Sequence, residues 1–428
     1  MHRLLKGLAA LLFCSSPVSA QMVMAPDPLG VTMNRAGSGT TWTPDALTLP
    51  SVHFMRGNWD LMVHGFVFGQ YTDAEGPRGD SQFGSLNWGM FMATHALAGG
   101  RFSFRTMLSL DPWTIGERGY PLLLQNGETY NGGAPLVDRQ HPHDFFKELG
   151  VSYERAMSKS VGISLYAAPA GEPALSPVAF MHRQSGMDNP FAPLGHHWQD
   201  ASHISFGVLT GGLFGSRWKL EGSVFNGREP DEYRWNIDLD ALDSYSGRLT
   251  INPTKNWSAT LGYGYLNEVE GAGESTHRMV GSLLHGAEIG AEGQVATALV
   301  VGANSHDALT TTMSLLETEA VLDGHNTLFA RAETGTKTSD DFAIPLSSPI
   351  VKYNIKAVSV GYIRELVRVK RATIGLGVMG SINHVPSALE ARYGSQSPKA
   401  FTAFIRLRPT LVRPAPMGGH SHHMAPSR

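Results

Sequence analysis

From Asn58 onward the chain alternates apolar and polar side chains with a period of two. Leu61, Val63, Val67 and Tyr71 share one face of the first such stretch. Phe102, Phe104, Leu108 and Leu110 alternate with Arg101, Ser103, Arg105 and Ser109, and Ile374, Leu376 and Val378 with Thr373, Gly375 and Gly377. An extended chain sends successive side chains to opposite faces, so this period predicts strands with one apolar and one polar side.

The pattern recurs at 59–72, 83–97, 100–110, 145–157, 160–170, 203–212, 215–225, 244–252, 256–266, 275–287, 293–304, 310–322, 325–336, 354–367, 370–383 and 398–408. Sixteen strands result, each near the ~9–11 residues a tilted strand needs to cross a bilayer. The connections differ in length. Gly99-Gly100, Met157-Ser158-Lys159, Asn252 to Lys255 and Asp323-Gly324 are tight turns, whereas 111–144, 171–202, 226–243, 337–353 and 384–397 are long. Short turns on one side and long loops on the other match an outer-membrane barrel. The expected fold is therefore all-β: a transmembrane antiparallel up-and-down β-barrel of about sixteen strands, with long extracellular loops and short periplasmic turns. An even strand count puts both chain ends in the periplasm. Lipid wets the apolar face and the lumen the polar one, where Arg248, Arg331, Glu333 and Arg371 are expected. Trp59, Trp88, Trp218, Trp257 and Tyr353 are candidates for the two membrane interfaces.

Composition agrees with that picture. Charged residues are 17% of the 428, below the roughly 25% of soluble domains. No apolar run beyond residue 20 reaches the ~18–20 residues of a spanning helix, which excludes a helical membrane protein. The 34 basic and 37 acidic side chains nearly balance, so no basic face invites nucleic acid. At the N-terminus, His2, Arg3 and Lys6 precede the apolar Leu8 to Phe13 and the small residues Val18-Ser19-Ala20, the layout of a secretory leader. The expected division is a cleaved leader at 1–20, a periplasmic segment at 21–56, the barrel at 57–409 and a His/Met-rich periplasmic tail at 410–428. The only cysteine, Cys14, falls in the leader, so the exported chain holds neither a disulfide nor a thiolate metal site.

Candidate chemistry concentrates in two long loops. Asp138-Arg139-Gln140-His141-Pro142-His143-Asp144 sets two imidazoles about a stiff proline between carboxylates. The second loop carries Met181-His182-Arg183, Met187-Asp188 and His196-His197, with His203 at the next strand. A carboxylate can orient a ligating ring, and imidazole with thioether suits copper better than calcium or magnesium. The alternative is a hydrogen-bonded constriction in which Asp138, Arg139, His141, His143, Asp144, His182, Arg183, His196 and His197 knit loop to wall and select what passes. In the tail, His420, His422 and His423 stand close enough to share copper or zinc, and Met417 and Met424 add soft donors. Neither metal is required by the barrel itself. His203 with Ser205 and His143 with Asp144 are the pairs a hydrolase would use, but no G-x-S-x-G or H-E-x-x-H pattern accompanies them, so an enzyme is not expected.

At these loops the chain resembles a largely uncharacterised family of outer-membrane barrel proteins of Gram-negative bacteria associated with copper or heavy-metal resistance. The likeness rests on Asp138 to Asp144, Gly171-Glu172-Pro173-Ala174, Phe180 to Arg183, Ser185 to Pro190, His196-His197-Trp198 and Lys219 to Gly222, within 135–270. It implies a metal-related setting without implying an activity. The long Met-rich N-terminal repeat of the better-known copper-resistance outer-membrane protein is absent. Three readings follow: a porin-like channel linked to copper or heavy-metal handling, a metal-binding outer-membrane anchor without an open pore, and, third, an outer-membrane hydrolase. Outer-membrane lipid and small solutes or metal ions are the expected partners, and an oligomer is compatible with all three.

Overall fold

The computed structural model describes residues 26–269, 275–307, 309–345 and 350–412. Its strands are β1 (Ser51–Arg56), β2 (Trp59–Ala74), β3 (Ser81–Leu97), β4 (Gly100–Leu108), β5 (Tyr120–Tyr130), β6 (Ala134–Gln140), β7 (Phe146–Ala156), β8 (Gly162–Gly171), β9 (Ser205–Phe214) and β10 (Trp218–Phe225). They continue as β11 (Ser244–Thr254), β12 (Trp257–Leu266), β13 (Thr276–Ile289), β14 (Gly293–His306), β15 (Leu309–Val321), β16 (Asn326–Thr338), β17 (Lys352–Arg368), β18 (Ala372–His384) and β19 (Lys399–Pro409). Three short helices lie between them: α1 (Asp111–Thr114), α2 (His196–Gln199) and α3 (Ser387–Tyr393).

Sixteen of these strands form one antiparallel cylinder, β2-β3-β4-β7-β8-β9 and onward in chain order to β19. The cylinder closes where β19 pairs with β2, from Ala400 opposite Ala74 to Leu407 opposite Val67. All sixteen coincide with the alternating stretches of the sequence to within a few residues. The remaining edge of β2 is taken by β1, paired from Ser51–His64 to Arg56–Trp59. No period is legible there because β1 has only six residues; it continues the edge of β2 beyond the end of β19.

The two-residue period becomes two environments. Outward positions such as Leu165, Leu209, Leu261, Leu316 and Ile405 are exposed around the cylinder. Only lipid satisfies such a belt, because water would leave it unburied on every side. Inward positions such as Arg105, Glu221, Arg248, Glu317 and Arg406 are buried. Three expectations need correction. Tyr353 lies on the inward parity of β17, with Ile355 and Ala357, and packs against Phe342 inside the barrel instead of at an interface. Trp88 lies on the inward parity of β3, with Leu86, Met90 and Met92, and packs inside the barrel instead of at an interface. Arg371 is exposed in the turn before β18 and does not face the lumen.

Tight turns gather at one end. Ala98-Gly99 joins β3 to β4 with positive φ at both residues, 47° and 76°, the backbone that matches the twist of a hairpin. The β1 to β2 entry and the end of β19 lie at this same end. The loop end is less uniform than expected: β2 and β3 are joined there by 75–80 alone.

The lumen is filled by the chain itself. Residues 26–50 wind into the short-turn end, burying Val31, Trp42 and Leu47. Wall side chains satisfy the backbone they carry in: Arg101 donates to the Val31 carbonyl at 2.9 Å, Lys219 to Thr40 at 3.0 Å and Asn252 to Thr43 at 2.9 Å. The long 111–144 loop holds a hairpin, β5 with β6, that covers the other end. Between them every residue from 172 to 204 is buried. Sequence expected this loop to enter the lumen in part; it enters in full.

Candidate functional site

The 172–204 segment forms a plug tied to the inner wall at many places, three of them through charged wall groups of β15 to β19. On β15 and β16, Glu317 receives Arg183 Nε of the plug at 2.6 Å and Arg331 Nε of the wall at 2.8 Å, and Ser185 Oγ donates to it at 2.8 Å. On β19, Arg406 meets Asp188 of the plug at 2.5 Å and also pairs with Glu365. On β16, Glu333 accepts the Leu194 amide at 2.6 Å. Strand parity aims these wall groups inward, and the irregular plug backbone needs partners because few of its amides bond to one another.

At the centre five imidazoles meet. His196 lies 5.1 Å from His203 and 5.3 Å from His197, ring centre to ring centre, and His143 lies 5.6 Å from His203. His141 stands 5.7 Å from His197 and 6.3 Å from His143. Two loops far apart in sequence thus supply one cluster. Four rings are held through Nδ1 at short distance: His143 by Asp111 at 2.9 Å, His196 by Asp200 at 2.7 Å, His203 by the Asp200 carbonyl at 2.7 Å and His141 by the Pro142 carbonyl at 3.0 Å. His197 Nδ1 faces Glu229 at 3.4 Å, and His141 Nε2 approaches Glu128 at 3.0 Å. The Nε2 atoms of His143 and His203 are buried and meet no hydrogen-bond partner. Among the described residues, no three His, Asp or Glu side chains converge to hold a metal ion by themselves.

Burial disfavours the charged form of four of these rings. Burial drives His141 and His143 well below the usual imidazole range, lowers His196, and takes His203 down to about 3. Burial also lifts Asp144 to about 6 and Glu128 to about 8, against the opposing charge of Arg234. Asp200 goes the other way: burial alone would raise it, but the hydrogen bond from His196 and the Arg183 charge outweigh that and hold it at about 2.

The residues singled out in the sequence therefore divide. His141, His143, His196 and His197 share the central cluster, and Asp144 supports it by pairing with Arg234 at 3.3 Å. Arg183 belongs to the Glu317 latch. Asp138 and Arg139 lie apart from the rings and anchor the β5–β6 cover: Asp138 accepts from Leu124 at 2.7 Å and Tyr393 at 2.8 Å, and Arg139 pairs with Asp80 at 2.7 Å. His182 faces another wall, its Nε2 3.2 Å from Met107 Sδ. Met417, His420, His422, His423 and Met424 lie outside the described residues, as does the leader. Neither hydrolase pair is assembled as a nucleophile with a base: Ser205 donates to the Ser202 carbonyl, and His143 is held by Asp111. Sequence reasoning missed Asp111, Glu128, Asp200, Glu229 and Arg234, which reach the cluster from separate segments.

No family model and no curated protein matches the chain. Among solved structures, the anion-selective porin from Comamonas acidovorans is similar at TM-score 0.50 and 14% identity, over 82% of this chain and 99% of that one. OmpF of Salmonella typhi, in complex with daunomycin, is similar at TM-score 0.50 and 9% identity, over 83% of this chain and all of that one. Identity this low speaks for the fold alone. With the lipid-facing belt and the closed sixteen-stranded wall, it makes the protein an outer-membrane β-barrel of porin-like architecture, with its lumen occupied by its own chain.

Proposed function

We propose that this barrel is an outer-membrane channel held shut by its own plug, and that the His-rich plug links opening to copper or another heavy metal. The supporting observation is the 172–204 segment, buried throughout yet latched to the wall by Glu317, Asp188 with Arg406, and Glu333. An anchor needs few strands, and eight-stranded barrels are filled by their own side chains. Sixteen strands enclose a space wide enough for an aqueous path, so the wall has the dimensions of a conduit and the plug decides whether it conducts. Loops 111–144 and 171–202 supply the constriction, with His141, His143, His196 and His197 at its narrowest point.

Planar-bilayer recording tests this reading. The full-length protein should remain closed or open rarely, and Glu317→Gln combined with Asp188→Asn should produce frequent large steps. His141→Ala with His143→Ala should change selectivity once the path is open. Steady conductance by the unaltered protein would refute the closed state. Silence from the latch variant, with its plug shown to be displaced by protease cleavage, would refute the conduit. That second outcome would favour a metal-binding anchor, the reading suggested by a lumen filled from both ends, in which the 417–424 tail captures copper in the periplasm.

A further inference from the structure

A soft patch spans three adjacent strands, beside the buried Arg105 that pairs with Glu148. On the inward faces of β2, β3 and β4 stand Met62 and His64, Trp88, Met90 and Met92, and Met107, all but Trp88 fully buried. Register places His64 opposite Met90 and Met90 opposite Met107, one row across three strands. Cross-strand neighbours stand ~4.5–5.5 Å apart at Cβ. Met62 opposite Met92 forms the next row toward the short-turn end. The plug lowers His182 onto this surface, with Nε2 3.2 Å from Met107 Sδ and its ring 5.6 Å from that of His64.

We propose that His64, Met90 and Met107 of the wall, with His182 of the plug, form a binding site for a soft monovalent cation of the Cu(I) class. His64 Nδ1 lies 2.7 Å from the Pro50 carbonyl, which fixes the proton there and leaves Nε2 as a lone-pair donor. That Nε2 is buried and meets no hydrogen-bond partner. A carbonyl-oriented ring with an unused second nitrogen is how a ligating histidine is held. Thioethers bind hard ions poorly, and thioether with imidazole selects Cu(I). The Trp88 ring lies 4.7 Å from His64 and 4.8 Å from His182, close enough for its face to meet a cation held between them.

Packing alone accounts for this wall poorly. Methionine does fill irregular gaps, but gap filling calls for neither imidazole, and a buried nitrogen left unpaired costs free energy that hydrocarbon contact does not return. The inference deepens the metal-linked reading above and rests on it only for the claim that soft cations reach the lumen.

The test uses the full chain in detergent, with the tail neutralised by Met417→Leu, His420→Ala, His422→Ala, His423→Ala and Met424→Leu. Ag(I), a redox-inert stand-in for Cu(I), is titrated by calorimetry in the presence and absence of excess Zn(II). The tail-neutralised protein should still bind a single tight equivalent that Zn(II) does not displace. Adding Met90→Leu and Met107→Leu should weaken it by about tenfold or more, with heat-modifiable gel migration unchanged. His182→Gln, which keeps a polar side chain in the plug, should weaken it as well. Unchanged affinity in the Met variants overturns the site. Binding lost with the tail alone overturns it too, while leaving the metal-linked reading standing. No Ag(I) binding even with the native tail removes both.

Discussion

The inner wall has two chemistries. From β15 to β19 it presents Glu317, Glu319, Arg331, Glu365, Arg406 and Arg408, and of these Glu317, Arg406 and Arg408 pair with Arg183 and Asp188 of the plug. In a patch across β2 to β4, beside Arg105, it presents thioethers, an imidazole and an indole, and the plug meets them through His182. Both surfaces arise from the same parity rule, since inward residues of each strand are simply every second one. The difference lies in what a buried side chain demands. A guanidinium or carboxylate must be paired, so the charged wall fixes the plug in register. A methionine demands nothing, so the soft wall is free to accept a guest.

Breaking the charged side should have the largest effect. Glu317→Gln removes the carboxylate shared by Arg183 and Arg331, both fully buried. Arg183 keeps Asp200 at 3.5 Å, but Arg331 loses its ion-pair partner. Uncompensated buried charge costs about 3–5 kcal/mol, so protease should cut within 172–204 far faster than in the unaltered protein. Equal cleavage rates would mean that the latch does not hold the plug. Asp188→Asn should cost less, about 2 kcal/mol for charge-assisted hydrogen bonds, because Glu365 still accepts from Arg406 and Arg408. A larger loss than that of Glu317→Gln, read by the same cleavage assay, would reverse the ranking of the two latches.

On the soft side, Met90→Leu should change resistance to urea by under about 1.5 kcal/mol, because volume and apolarity are kept. The contrast with Glu317→Gln sharpens the division of labour: one wall holds, the other is dispensable for holding. A Met90→Leu loss as great as that of Glu317→Gln would mean that the thioethers are structural core.

The same physics decides how much could be read beforehand. Lipid outside and polar interior inside force a strict alternation, so 244–252 and 354–367 foretold Ser244–Thr254 and Lys352–Arg368 closely. The β5–β6 hairpin escaped notice because its pairing slips between Pro121 and Asn126 and again before Thr129, which destroys the period. The plug has no period at all, and its burial depends on wall partners such as Glu317 and Arg406 that lie over a hundred residues away in sequence. The histidine loops stood out by composition, yet their convergence rests on Asp111 and Asp200 within them, which carry no distinctive pattern, and on Glu229 and Arg234 from the 226–243 loop. The soft wall was legible in principle: Met62-x-His64 and Met90-x-Met92 share the inward parity. Methionine passes there as an ordinary lipid-facing residue unless each strand's parity is followed through.

The smallest expected effect concerns protons at the meeting of the two loops. Closed, the plug holds His141, His143, His196 and His203 neutral, because burial lowers all four. Once wetted, these rings regain the ordinary value near 6.5 and bind protons more readily than in the closed state, so acid favours opening. Glu128, pushed up to about 8 by burial, has the opposite sign: the closed state holds its proton from the usual carboxylate range up to about 8, so acid favours closure. Asp144 and Asp111, lifted to about 6 by burial, add to that side only as the pH approaches 6. Glu172 of the plug, also pushed up to about 8 by burial, adds to the closure side throughout. Between pH 7 and 6 the terms largely offset, and protease access to the plug should change only slightly. Glu128→Gln is the isostere of the protonated acid, so it should leave the closed plug intact at pH 7 while removing its share of the counterweight. Access should then climb several-fold more steeply toward pH 6 than in the parent. Superimposable pH profiles for the two proteins would mean that the buried rings do not report on the plug, and that the charged wall alone governs it.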